Sequence, residues 1–147
     1  MKVLLQRVTH ASVSVNGEKI AQIGRGLLAF VGIAKGDTEE SAQYLAERMA
    51  NLRVFPDDGG KLNLSVLDIN GEILVVSQFT LLADTRKGRR PSFGKAALPD
   101  EAEELFKRFV DLTKATGLKV ETGRFQQHML VEIHNEGPVT ILLDSKI

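Results

Sequence analysis

The chain of 147 residues contains no cysteine and no tryptophan, one tyrosine and four prolines. Without cysteine there is no disulfide framework, no thiolate zinc or iron–sulfur site and no cysteine nucleophile. Nor is there an excess of one charge: nineteen Lys+Arg stand against nineteen Asp+Glu. No global positive field draws the molecule to nucleic acid, so any such contact must come from a local patch. The longest apolar run, Gly26 to Ala34, falls far short of a membrane span. The opening Met1–Arg7 shows no apolar core followed by a small-residue cleavage site. Ser/Gly-rich linkers and fixed-period repeats are missing too. What is present, 43% hydrophobic and 26% charged residues, suits one compact domain over 1–147. The expectation is an intracellular, cytoplasmic protein with no membrane partner.

Hydrophobic patterning reads as strands first. Val3–Leu5 is a short apolar run, and Ala11–Val15 alternates with period two. Asn16-Gly17 signals a tight hairpin, with Glu18 to Ile23 returning. A turn at Gly24–Gly26 leads into the apolar run from Leu27 to Ile33, expected as a buried central strand. Asp37 and Thr38 offer an N-cap to a helix whose apolar stripe is Ala42, Leu45, Ala46, Met49 and Leu52. Phe55–Gly60 is a turn cluster, and Asn70-Gly71 is a second hairpin signal before a strand from Glu72 to Phe79. An irregular stretch, 82–98, precedes Pro99, which opens a helix with acidic first-turn residues and the stripe Ala102, Leu105, Phe106, Phe109 and Leu112. Two closing strands are expected, Met129–His134 and Val139–Leu143, joined by a turn at Asn135–Pro138. Many strands and two main helices predict an α+β fold with a largely antiparallel, curved or barrel-like sheet.

Several familiar patterns fail on context. Gly24-x-Gly26-x-x-Ala29 matches a dinucleotide-binding fingerprint, but a strand follows where the phosphate loop needs a helix. His10, His128 and His134 lie far apart with no ligand spacing, so no metal site is expected. Ser77 lacks the G-x-S-x-G elbow that would present a serine nucleophile.

Three features carry more. Ser77-Gln78-Phe79-Thr80-Leu81 puts hydroxyl, amide and backbone N–H groups where a core strand emerges, which suits a pocket or an ordinary satisfied strand end. Gly137-Pro138, read as a hairpin turn or as something more, is a rigid pair with no proline N–H. It can leave two carbonyls as fixed outward acceptors. Residues 84–95 hold Arg86, Lys87, Arg89, Arg90 and Lys95 against Asp84, a local charge of five minus one, +4. Beside a pocket, such a loop suits a phosphate-bearing substrate. With Phe93 and Phe125 as stacking surfaces, a single-stranded nucleic-acid end fits; otherwise the run is a solvated loop.

These segments resemble the D-aminoacyl-tRNA deacylase family from end to end. The resemblance rests on Leu5-Gln6-Arg7-Val8 with Ala11-Ser12-Val13, on Ser77–Leu81, and on Arg90-Pro91-Ser92-Phe93. It continues through Thr122-Gly123-Arg124-Phe125, Met129 and Asn135-x-Gly137-Pro138-Val139-Thr140. It implies a homodimer with each pocket at the subunit interface and a cis Gly137–Pro138 peptide reaching into the partner's pocket. The implied reaction is hydrolysis of the ester between a D-amino acid, or glycine, and the terminal adenosine of tRNA. No cofactor and no DNA partner are implied.

Within that implied site, the Gly137 and Pro138 carbonyls would select the D configuration by accepting hydrogen bonds from the substrate's α-amino group. Arg7 would hold that segment, and Met129 and Phe125 would line the substrate pocket. Ser77, Gln78, Phe79 and Thr80 would form the catalytic strand end, and Arg86, Lys87, Arg89 and Arg90 would bind tRNA phosphates. Two routes stay open: Thr80 as nucleophile, though without an evident base, or a water positioned by the terminal ribose hydroxyl, with N–H groups near Phe79 and Thr80 as oxyanion hole. Two other functions compete, a deacylase of mischarged L-aminoacyl-tRNA and a catalytically silent RNA-binding module.

Overall fold

The computed structural model describes residues 1–146. Its longest pairing joins the two ends of the chain. Strand β1 (Lys2–Val15) runs antiparallel to β8 (Leu130–Asp144) from Lys2↔Asp144 to Ser14↔Leu130. The other edge of β1 is shared. β3 (Gly26–Gly32) takes its first half, Lys2–Val8, and β2 (Glu18–Ile23) takes its second, Ala11–Val15. One strand serving two neighbours in succession must bend, and this curls the sheet.

Beyond β3 the pairing changes sense. β6 (Glu72–Ser77) lies parallel to β3, and β7 (Lys119–Thr122) lies parallel to β6. The main sheet is therefore mixed, in the order β2-β1-β3-β6-β7 with β8 on β1. β2 also packs against β6 and β7, so the sheet nearly closes on itself. The α+β class, the two helices and the barrel-like sheet are as the sequence predicts; the share of parallel pairing is larger. Asn70-Gly71 is a turn, with Asn70 at φ 52°, but it does not close a hairpin. The strand it launches pairs with β3, across a connection containing helix α1 (Glu39–Asn51), as parallel strands require.

Each face of the curled sheet has its own apolar cluster. Val3, Leu5, Leu27, Ala29, Ile73 and Val75 face α1 and α2 (Pro99–Lys114), meeting Leu45, Met49, Phe106 and Phe109. Val8, Ala11, Val13, Ile23, Leu28, Leu74 and Val76 fill the inside of the curl. A strand buried on both faces needs unbroken apolar sequence, which is why Leu27–Val31 and Ile73–Val76 show no alternation.

Both helices begin where the sequence places them. The Thr38 N–H donates to Ser41 Oγ at 3.2 Å, and Pro99 occupies the first turn of α2. The buried stripe of α2 is Phe106, Phe109, Val110 and Thr113, while Ala102, Leu105 and Leu112 are partly buried against it. The Phe55–Gly60 cluster lies within a small antiparallel pair, β4 (Phe55–Pro56) and β5 (Leu62–Leu64). Among the described residues no helix is long and apolar enough to cross a membrane.

Candidate active site

The carboxyl ends of β6 and β7 open onto a cavity of ≈ 730 Å³. Ligands of open sheets with parallel strands characteristically bind outside such ends. Ser77, Gln78 and Phe79 line it from β6, and Phe125 and Met129 from the segment after β7. Five of the expected site residues thus meet in one place. The opposite wall, Phe93 and Ala96–Pro99, comes from the irregular stretch and the start of α2.

The strand ends at Ser77 rather than at Phe79. The Gln78 N–H donates to Val31 O at 2.8 Å, and a short 3-10 helix covers Phe79–Leu82. This tight turn sits directly on β3. A Cβ at Gly32 would stand 2.6 Å from Leu82 Cδ2 and 3.0 Å from Gln78 O, so only glycine allows the approach. The N–H groups of Phe79 and Thr80 open that helix and have no acceptor among the described residues. Two adjacent donors beside a cavity can bind a developing negative charge on oxygen. The Thr80 hydroxyl is exposed and accepts a hydrogen bond from Gln78 Nε2. Among the described residues no histidine or carboxylate is hydrogen-bonded to it.

Two aromatic pairs shape the cavity. Phe79, 56% exposed, meets Phe93 edge to face with centroids 5.0 Å apart. Phe125 leans on Phe106 of α2 at 6.2 Å. Met129 is seated over Gly123, where a Cβ would stand 2.7 Å from its sulfur. A side chain at Gly123 would have to push the Met129 thioether aside, toward the cavity it lines. The sequence reading missed Lys35, Gly32 and the Ala96–Pro99 wall. Lys35 directly follows an apolar strand, a signal that was there to use.

Arg7, Gly137 and Pro138 do not line this cavity. They build a second feature, on β8. This is one strand rather than two joined by a hairpin, because β1 continues opposite it on both sides of the Gly-Pro pair. Thr140 lies opposite Gln6, but Asn135 already lies opposite Val8. β8 therefore takes five steps where β1 takes two, and Glu136–Val139 bulge out. The Gly137–Pro138 peptide is cis, and Gly137 has φ 123°, which favours glycine.

Side chains close the base of the bulge. Asn135 Nδ2 donates to Arg7 O at 2.9 Å and to Val139 O at 3.1 Å, and Thr140 Oγ1 donates to Asn135 Oδ1 at 3.3 Å. The Arg7 side chain, nearly buried, donates from Nη1 to Val54 O at 2.8 Å and from Nε to Glu136 O at 3.2 Å. The Asn and Thr of the Asn135-x-Gly137-Pro138-Val139-Thr140 pattern are thus fasteners, and the exposed Gly-Pro pair is what they present.

The basic loop is pinned at its neck. Asp84 and Ser92 exchange backbone hydrogen bonds at 2.8 and 2.9 Å. Arg86 is clamped on Asp84 by Nε at 2.9 Å and Nη2 at 2.6 Å. That guanidinium holds the Asp84 carboxyl well below the usual carboxylate range. Lys87, Arg89 and Arg90 are exposed and form no ion pair among the described residues. Among the described residues, Arg86 alone of the four has an ion-pair partner.

Comparison with known proteins agrees with this geometry. The D-Tyr-tRNA(Tyr) deacylase family matches residues 4–144. A D-aminoacyl-tRNA deacylase of Thermotoga petrophila is 57% identical over 145 residues, 99% of this chain and 97% of that one. One of Bacillus licheniformis is 54% identical over 146 residues, covering 99% of each. A solved structure described as c-Myc DNA Unwinding Element Binding Protein superposes with a TM-score of 0.94, 42% identity and full coverage of both chains. With matches of this strength along nearly all of its length, the chain belongs to the D-Tyr-tRNA(Tyr) deacylase family of hydrolases.

Proposed function

We propose that the chain hydrolyses the ester between a D-amino acid and the terminal adenosine of tRNA, releasing free amino acid and tRNA. The observation that carries this reading is the pair of adjacent N–H groups, that of Phe79, which lines the cavity, and that of Thr80, next to it in the chain, neither with an acceptor among the described residues. The names of the Thermotoga petrophila and Bacillus licheniformis relatives supply the substrate class.

In this reading the ester carbonyl oxygen points at the two N–H groups, which stabilise the tetrahedral oxyanion. Water attacks the carbonyl carbon, the C–O bond to the ribose breaks, and the departing ribose oxygen takes the proton. The attacking water is oriented by the free hydroxyl of the terminal ribose. A Thr80 nucleophile is disfavoured because, among the described residues, the only hydrogen bond to its hydroxyl is from an amide, which cannot take its proton. The exposed Phe79–Phe93 pair offers an aromatic face to the terminal adenine, with Phe125 and Met129 walling the amino-acid side. Lys87, Arg89 and Arg90, with Arg86, hold backbone phosphates.

Stereochemical choice falls to Gly137 and Pro138 of a second copy. β8 is an edge strand with Leu130, Ile133 and Leu142 exposed at 72%, 36% and 52%. A homodimer covering them would bring the partner's Gly-Pro carbonyls to this cavity. Carbonyls held on a bulge accept from the α-ammonium of a D substrate, while an L substrate would meet them with its side chain. Burying unpaired polar groups of this kind can discriminate by ~10⁴-fold or more. Main-chain selection leaves the side-chain pocket permissive, and glycine on a non-cognate tRNA is accepted with the D-amino acids. The site of action is the cytoplasm.

The test is single-turnover deacylation of D- and L-tyrosyl-tRNA by wild type and Gly137→Ala, alongside tRNA binding and sedimentation. A Cβ on Gly137 would stand 3.0 Å from Arg7 Nη2 and 3.2 Å from Val139 N, at a φ that resists side chains. Gly137→Ala should therefore slow D-tyrosyl release at least ~10-fold with little change in tRNA affinity. Preferential release of L-amino acid by wild type would overturn the chiral reading. Binding with no turnover of either substrate would leave a silent RNA-binding module, and a monomer with full activity would exclude the shared pocket.

A further inference from the structure

Two of the three histidines, remote in sequence, meet across the pairing of the first and last strands. His10 on β1 lies opposite His134 on β8, and Ser12 lies opposite Glu132. Residues two apart on a strand point to one face, so the four side chains form a square on a single face of the β1–β8 ribbon. The two imidazoles meet edge to face with centroids 5.2 Å apart. Glu132 Oε1 lies 3.5 Å from His134 Nε2, and Ser12 Oγ donates to the other carboxylate oxygen, Oε2, at 3.3 Å. One ligand atom each from His10, Glu132 and His134 comes within 4.8 Å of the others.

We propose that His10, Glu132 and His134 bind a zinc ion on the face of the β1–β8 ribbon. Two imidazoles and one carboxylate, with no thiolate, form a donor set that zinc accepts. With bonds of about 2.0–2.2 Å, tetrahedral ligands stand about 3.4 Å apart. The Glu132–His134 separation already has that value, and side-chain rotation closes the remainder because His134 and Glu132 are about half exposed. The ion's fourth position faces solvent. Ser12 acts as the outer partner that fixes the carboxylate, a role that usually accompanies a ligand.

The site lies apart from the cavity and plays no part in the hydrolysis proposed above. Its effect is mechanical: it staples the strand carrying the Gly137–Pro138 bulge to β1, three residues from Gly137.

Calorimetric titration of the untagged full chain with zinc chloride should show one ion per chain. His10→Ala and His134→Ala should each weaken zinc at least ~10-fold, Ser12→Ala by ~10-fold, and His128→Ala should leave it unchanged. Cobalt(II) added in place of zinc should give the visible absorption of a low-symmetry site, lost in the His10 and His134 variants. The variants' circular dichroism should match wild type, since His134 is about half exposed, His10 is partly exposed, and Ser12→Ala, though buried, removes only a hydroxyl. Absence of saturable binding by wild type, binding that survives both histidine substitutions, or loss of binding in His128→Ala would each overturn the proposal.

Discussion

Replacing Arg7 with methionine tests whether the bulge works as a separately anchored device. The side chain is 10% exposed and donates to two main-chain carbonyls on different segments, Val54 O at 2.8 Å and Glu136 O at 3.2 Å. Hydrogen bonds from a charged donor contribute ~1.5–3 kcal/mol each. The Val54 bond is buried and deserves the upper half of that range; the Glu136 bond is part-buried and deserves the lower. The Glu136 carboxylate, 3.4 Å from Nε and 46% exposed, adds under ~1 kcal/mol after screening. Methionine keeps most of the stem's packing, so Arg7→Met should cost about 4–6 kcal/mol. For a chain of this length that lowers Tm by ~8–24 °C.

The functional loss should exceed the loss of folded protein. At a temperature where Arg7→Met is fully folded, single-turnover release of D-tyrosine should fall at least ~10-fold while tRNA affinity holds, because the phosphate-facing loop lies elsewhere. Arg7→Lys should fall between, since one ammonium cannot reach both carbonyls as the guanidinium fork does. Glu136→Gln should change little in either assay, because it keeps the Glu136 main-chain acceptor. Melting should be compared at one protein concentration, as dimerisation couples Tm to concentration. If Arg7→Met melts within a few degrees of wild type and keeps its full rate, Asn135 alone holds the bulge and the reasoning fails.

Other expectations follow from the same contacts. Thr80→Ala should lose far less than the ~10⁴–10⁶-fold seen on removing covalent nucleophiles, whereas tRNA ending in 2′-deoxyadenosine should be hydrolysed far more slowly; an acyl group on Thr80, found by mass spectrometry, would contradict this. Asp84→Asn should release Arg86 and steepen the salt dependence of tRNA binding by roughly one unit, while Arg89→Ala or Arg90→Ala should flatten it by about as much. Because Arg86 lowers the folded-state pKa of Asp84, the clamp is intact above the ordinary carboxylate value and is lost only as pH falls through the lower folded value, so in an NMR titration from pH 6 to 3 Asp84 should stay ionised where an ordinary aspartate, near ~3.9, protonates. Gly26→Ala should prevent folding or cost ~3 kcal/mol or more, because its Cβ would stand 1.7 Å from Glu72 O on the parallel neighbour, and a thermal melt reads this directly.

What the sequence made legible was what period and composition encode. Both helices and the apolar central strands are local patterns found where expected, and the polar segment after Val76 is where a pocket opens, though the strand stops at Ser77 rather than Phe79. The pairing sense of β6 was not legible, since Asn70-Gly71 announces a turn but not the strand's neighbour. That neighbour was decided by Leu27–Val31 and Ile73–Val76, which need burial on both faces and obtain it side by side.

The last strand was misread for a related reason. Asn135–Pro138 has the composition of a hairpin, and only the uninterrupted run of β1 opposite it turns those residues into a bulge. The same pairing puts His10 against His134. No spacing rule written along one chain can report that contact, because it is set by strand register between opposite ends of the sequence. Both features that a linear reading misjudged, the bulge and the histidine pair, therefore have one physical origin. It is the register of β1 on β8, fixed by the buried Val3 and Leu5 toward the helices, by Val8, Ala11 and Val13 inside the curl, and by the Asn135 amide that spans Arg7 O and Val139 O.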